Sequence, residues 1–176
     1  MRSLKQKVSA SVLTTLYFAN FHSLISYGII FWGGCNYSNK VFKLQKRAIR
    51  ILAGKYWDSN GHPTSCKNLF SEYSILTLPA LYVLESVCFV VQHPDRVKTM
   101  DSVHNYSTRN RNINLTAHRT ALYATNNVYS GSRLFNALPR DIKEAKGNLN
   151  KFKKCLKNFL LSKNPYSLKE IDVNYK

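Results

Sequence analysis

Between Val8 and Asn39 the chain carries no Lys, Arg, Asp or Glu, although 26 Lys and Arg and 9 Asp and Glu are spread over its 176 residues. A stretch of that length without charge either crosses a membrane or is packed inside a fold. Ile29, Ile30, Phe31 and Trp32 form an apolar run within it. Thr14, Thr15, Asn20, His22, Ser23 and Ser26 interrupt the stretch, and Gly28, Gly33 and Gly34 weaken a long helix. Lys5 and Lys7 precede it and Lys40 and Lys43 follow it, so the one-sided cation excess that orients a membrane span is missing. A signal peptide would need a shorter apolar centre and a small-residue cleavage site. The stretch therefore reads as buried helices, with a membrane protein built on residues 8–39 as the minor alternative.

The rest of the chain extends the helical pattern. Leu4, Val8, Val12 and Leu16 recur every four residues, which predicts a helix over 3–18 with these on one face and Leu13 and Tyr17 beside it. A second helix is expected over 19–32, stopped at Gly33-Gly34. A third, capped by Asn36 or Ser38, runs to Ala53 and is closed by Gly54. After a polar loop at 55–65 a short helix is expected over 66–73. A helix opened by Pro79 then runs to about Val91, apolar around nearly its whole circumference and so deeply buried. Residues 95–127 have no helical period, and strand pieces are only weakly indicated at 113–115. Short helices at 132–137 and 139–145 follow, then a last helix over 149–161 that ends before Asn164-Pro165. The expected fold is mainly α: a bundle of about five to seven helices with an irregular polar segment at about 95–130.

A hydrophobic fraction of 44% with 12% aromatics is enough for a real core. The formal net charge is +17. Self-repulsion on that scale opposes folding, so a polyanion that relieves it is expected; nucleic acid comes first and an anionic membrane surface second. A fragment parted from its acidic neighbour is the bland alternative.

The sharpest charge pattern lies on the third helix. At 100° per residue Val41, Leu44, Ala48, Ile51 and Leu52 gather on one side, expected to face the core. Lys40, Lys43, Lys46, Arg47 and Arg50 fall opposite, with no acid on the helix. From 40 to 50 this row is about 15 Å long. A solvated helix face usually mixes signs, whereas a row of like charges is favoured beside phosphates. The last helix repeats the pattern less sharply: Leu149, Phe152, Leu156, Phe159 and Leu160 are apolar, and Lys151, Lys153, Lys154 and Lys157 occupy the other side. Between the two, Tyr106, Arg109, Arg111, His118, Arg119, Tyr123 and Tyr129 mix rings with guanidinium groups, a combination that suits single-stranded nucleic acid. For the tyrosines, burial under a loop is the preferred expectation; the arginines stay open.

Catalytic groupings are absent from the pattern. Two-metal phosphoryl transfer needs clustered carboxylates, yet the acids are scattered, with Glu170 and Asp172 the nearest thing to a pair at the end. No P-loop or dinucleotide glycine pattern occurs. His62 and Cys66 are spaced like two zinc ligands, but no second pair matches them. Cys35, Cys66, Cys88 and Cys155 have no CxxC spacing and suit reduced thiols in a cytosolic or nuclear setting, with Cys88 a core residue. No cofactor, metal or small-molecule substrate is expected.

The ordered set of short motifs resembles one family. Tyr17 with Phe21-His22-Ser23, then Tyr27-Gly28-Ile29 and Trp32-Gly33, then Leu44-Gln45-Lys46-Arg47-Ala48-Ile49-Arg50 is similar to the non-LTR retrotransposon reverse transcriptases, narrowly to the region after the polymerase palm in jockey-like elements. Ser65-Cys66, Leu69-Phe70, Ile75-Leu76-Thr77-Leu78-Pro79 and Tyr82 continue it, followed by Tyr106, Thr108-Arg109 and Arg111. Gly131, Leu134-Phe135-Asn136-Ala137-Leu138-Pro139, Ile142, Phe152-Lys153 and Phe159-Leu160 complete it over nearly the whole chain.

The resemblance implies a thumb-like helical region at 1–57, its continuation at 58–103, and a polar arm with a C-terminal basic helix at 104–176, together forming one unit. It also implies RNA or an RNA–DNA hybrid as partner, alongside the upstream polymerase and endonuclease parts of the same polyprotein. The family's catalytic paired-aspartate motif is missing, since the chain holds no Asp-Asp dipeptide. The expectation is thus a C-terminal remnant, inactive as an enzyme, intracellular, and without a membrane.

Overall fold

The computed structural model describes residues 3–54, 57, 61–97 and 112–171. It is mainly helical, as the periodicity predicts, and the described residues hold no β-sheet. Tyr106, Arg109 and Arg111 lie outside the described residues.

The uncharged stretch opens with α1 (Ala10–Leu16), passes through a π-helical segment at Tyr17–His22 and continues as α2 (Ser23–Ser26). Its break falls at Gly28, whose φ of 59° permits the left-handed turn before α3 (Ile29–Trp32), and not near residue 18. Several hydroxyls here are satisfied within the helix: those of Thr14, Thr15 and Ser26 donate to the carbonyls of Ala10, Ser11 and His22 at 2.9, 3.1 and 2.7 Å. No helix among the described residues is long and apolar enough to cross a membrane. The face expected to be buried is also corrected. Leu13, Tyr17, Ile25 and Ile29 enter the core, while Val12 is 44% exposed.

The third predicted helix is α4 (Ser38–Ala53), closed by Gly54 at φ 72° as expected. Neither Asn36 nor Ser38 caps it: the N-cap is Tyr37, with no side-chain hydrogen bond. Its buried face is Phe42, Gln45, Ala48, Ile49 and Leu52, turned from the predicted Val41–Leu44–Ala48–Ile51 line; Leu44 is 54% exposed. The reason is Gln45, fully buried and counted from sequence as polar. Its amide nitrogen donates to the Tyr17 hydroxyl at 3.0 Å and the Leu76 carbonyl at 2.9 Å, and its oxygen accepts from the Leu78 N–H at 2.8 Å. One side chain thus fastens the N-terminal helix, α4 and the start of the central helix.

That central helix follows α5 (Lys67–Glu72) and is α6 (Leu78–Gln92), with Pro79 in its first turn and the Thr77 hydroxyl accepting from Ala80 N–H. Leu78 to Leu84, with Ser86, Val87, Cys88 and Val90, are all buried, so α6 is the hub against which α3, α4, α8 and α10 pack. Burial lifts the Cys88 thiol to about 11, as suits a core residue. Then come α7 (Ala121–Ala124), α8 (Asn127–Ala137), α9 (Arg140–Glu144) and α10 (Leu149–Lys163). Helix α8 starts five residues before its predicted position and crosses α6 at Gly131. A Cβ on Gly131 would lie 2.6 Å from the Ser86 carbonyl oxygen.

Residues 113–115, weakly indicated as strand, belong to no sheet among the described residues. Ile113 stands in an isolated bridge position, and the Asn136 carboxamide accepts from its N–H and donates to its C=O, both at 2.8 Å. After α10, Asn164 turns the chain back at φ 47° and donates to the Lys67 carbonyl, while the Thr77 hydroxyl donates to the Pro165 carbonyl at 2.6 Å. The buried apolar cluster runs from Leu13 to Leu160 and draws on all three predicted regions.

Tyr17 gives this core a pH dependence. Burial pushes its phenol from the ordinary 10 up to about 12, against the Gln45 hydrogen bond, which acts the other way. The unfolded chain therefore ionises first. The stabilisation is complete below pH 10 and is lost as pH rises toward 12, by about 2–3 kcal/mol. Chemical denaturation at pH 10 and 12 should show a smaller loss for Tyr17→Phe than for the parent. Equal losses would remove Tyr17 from the effect.

Candidate nucleic-acid interface

The α4 cations divide into two sets once the helix is in place. Lys40, Lys43 and Arg47 are exposed on its outward side, the Lys40 amine 5.0 Å from the Tyr37 ring centre. Lys46 and Arg50 are half-buried at the inner edge. The Lys46 amine stands 4.8 Å from the Phe42 ring centre and 5.4 Å from that of Tyr166, and Arg50 Nε donates to the Thr64 carbonyl at 2.8 Å. Around this edge burial raises the Cys66 thiol, which the Arg50 and Lys46 charges partly offset. The Tyr166 phenol is pushed up to about 12, mainly by burial. None of Lys40, Lys43, Lys46 and Arg50 is within ion-pair distance of a carboxylate among the described residues. The row predicted from sequence is therefore present as geometry, but two of its five members also hold the fold together.

On α10, Phe152, Leu156 and Leu160 are fully buried and Lys151, Lys153, Lys154 and Lys157 are exposed. Lys157 stands near His22 of the π segment: the imidazole is held below its ordinary value first by burial and then by the Lys157 charge, with Glu85 opposing.

The middle segment departs from expectation. Tyr123 is 41% exposed and Tyr129 half-buried, so these tyrosines are not folded under a loop. His118 stacks on Tyr123 with centroids 5.4 Å apart and planes at 28°, and Tyr129 meets both rings edge-on at 4.5 and 5.6 Å. A small groove of about 130 Å³ beside Tyr123 and Tyr129 brings in Arg96, Asn114 and Thr116. Arg96 escaped the sequence reading because nothing local ties it to residues 114–129. The same is true of a larger cleft of about 580 Å³, where Phe31, Tyr82, Ala124, Arg133 and Lys169 converge from distant segments.

No group of three or more His, Cys, Asp or Glu that could hold an ion occurs among the described residues. Cys66 is buried, with its Sγ 3.5 Å from the Lys46 carbonyl, and Asp172 lies outside the described residues. All four cysteines are free, Cys35 being the exposed one.

Comparison of the chain with family models, with curated proteins and with solved structures finds no match.

Proposed function

We propose that this chain is the post-palm, C-terminal part of a non-LTR retrotransposon RNA-directed DNA polymerase, and that it binds RNA or an RNA–DNA duplex through phosphates without polymerising. The observation that carries the binding reading is the outward face of α4, where Lys40, Lys43 and Arg47 stand in line and no acidic residue occurs on the helix. Lys151, Lys154 and Lys157 on α10 form the secondary contact. Such contacts hold a backbone without reading its sequence. The family assignment rests on the ordered motifs, with the polymerase and endonuclease parts of the polyprotein as further partners inside the cell.

Fluorescence anisotropy against salt concentration tests the binding. Three phosphates neutralised by α4 contribute about −2.7 to the slope of log affinity on log salt, which is about 40-fold between 50 and 200 mM. Lys40→Gln, Lys43→Gln and Arg47→Gln together should make the slope clearly shallower, leaving the part that the α10 lysines supply. All three side chains are exposed, and the melting point serves as the folding control. An unchanged slope would take α4 out of the interface. A second reading, docking onto the missing polymerase, draws on Leu24, Tyr27 and Phe31, which are 74, 86 and 77% exposed. It predicts retention by an isolated palm domain that survives high salt, which phosphate contacts do not.

A further inference from the structure

The α4 row is built for a backbone, but the opposite kind of contact exists at the α7–α8 corner. His118 and Tyr123 are both exposed and already stacked on one another. Tyr129, on α8, supports them edge-on from the protein side. The corner is held in place by its own hydrogen bonds. The Thr120 hydroxyl caps α7 by accepting from Tyr123 N–H at 3.4 Å. The Asn126 side chain caps α8 by accepting from Val128 N–H at 2.8 Å, and the Ser130 hydroxyl donates to the Ala124 carbonyl at 2.9 Å. An exposed ring pair fixed in this way loses little freedom when a third flat group joins the stack.

The surroundings select the group. Arg119 is exposed next to His118, and Arg96, with its side chain 57% exposed, lines the adjoining groove. The carboxylate of Asp95 is only at the 4.0 Å limit from Arg96. Asn114 and Thr116 line the same groove and offer an amide and a hydroxyl group for hydrogen bonds. Rings for π-faces, guanidinium groups for phosphates and a narrow polar groove suit an unpaired strand, whose bases are free to stack; a duplex keeps its faces covered.

We infer that the His118–Tyr123 pair, with Tyr129 behind it and Arg96 and Arg119 beside it, is a stacking platform for one or two bases of single-stranded RNA or DNA. This rests on the nucleic-acid reading above and adds a second, chemically different contact to it. Stacking of a single base is strong enough that removal of the ring should cost about tenfold in affinity.

The test uses the full chain and two labelled 12-mers of equal charge, one of uridines and one abasic, together with a duplex. The parent should bind the uridine strand about tenfold tighter than the abasic strand. Tyr123→Ala should erase that difference, Tyr123→Phe should keep it, and neither should alter duplex affinity. The triple glutamine variant of α4 should weaken all three ligands alike. Equal affinity of the parent for the uridine and abasic strands overturns the platform while leaving the α4 contact standing. So does a preference that survives Tyr123→Ala. No binding to any of the three overturns both readings.

Discussion

Replacing Gln45 with leucine destabilises the protein by about 4 kcal/mol and lowers its melting temperature by roughly 8–16 °C. Leucine fills nearly the same volume, so the loss comes from polar groups and not from a void. The Tyr17 hydroxyl loses the donor at 3.0 Å, the Leu76 carbonyl loses its donor at 2.9 Å and the Leu78 N–H loses its acceptor at 2.8 Å. Each group stays buried, and each costs about 1–3 kcal/mol when left without a partner. Leu78 is a special case. It opens α6, where the first N–H groups have no partner within the helix, so a side chain from another helix completes the cap that Thr77 begins. Thermal unfolding followed by circular dichroism would measure this, and a shift under 2 °C would show that the three groups find other partners.

The second large effect is at Gly131. An added Cβ would meet the Ser86 carbonyl oxygen and a Val90 methyl group, both at 2.6 Å. The first of these is backbone inside the hub helix and cannot swing aside. Gly131→Ala gains about 1 kcal/mol of helix propensity, yet it should still destabilise by about 2–3 kcal/mol net, because α6 and α8 must separate. Gly147→Ala makes the comparison clean, since nothing lies within 4 Å of its added methyl group. Urea denaturation of the two variants side by side decides the matter, and similar midpoints would mean that the crossing tolerates a wider spacing.

Chain punctuation was readable from sequence wherever one residue decides it locally. Gly54, Pro79 and Asn164-Pro165 end or start helices where expected, and the all-round apolar pattern of 78–92 correctly marked the buried hub. What failed was rotational phase. Periodicity counts glutamine as outward, but Gln45 is inward because its partners lie 28, 31 and 33 residues away. The π segment has the same effect on the first helix: an altered turn shifts every face after it, and no residue type announces it. The grip of Asn136 on the Ile113 backbone is equally invisible, since only the fold brings them together.

The candidate interface was legible in part for the same reason. The cations of α4 could be placed on one helix from spacing alone. That Lys46 leans over Tyr166 and Arg50 reaches Thr64 depends on segments far along the chain, so their structural duty could not be foreseen. Sequence also named His118, Tyr123 and Tyr129 together, but favoured burial because a polar, aperiodic segment gives no sign of the caps that hold the rings out.

The return of the chain after α10 has a consequence for biosynthesis. Asn164 and Pro165 are joined to Lys67 and Thr77 across 97 and 88 residues, and Tyr166 packs edge-on against Phe42 and Phe70. While the ribosome is still adding residues 80 to 160, the segments around Phe42 and Phe70 have no lid. They emerge apolar and uncovered, and stay so until the strap that seals them, around Asn164 to Tyr166, leaves the exit tunnel.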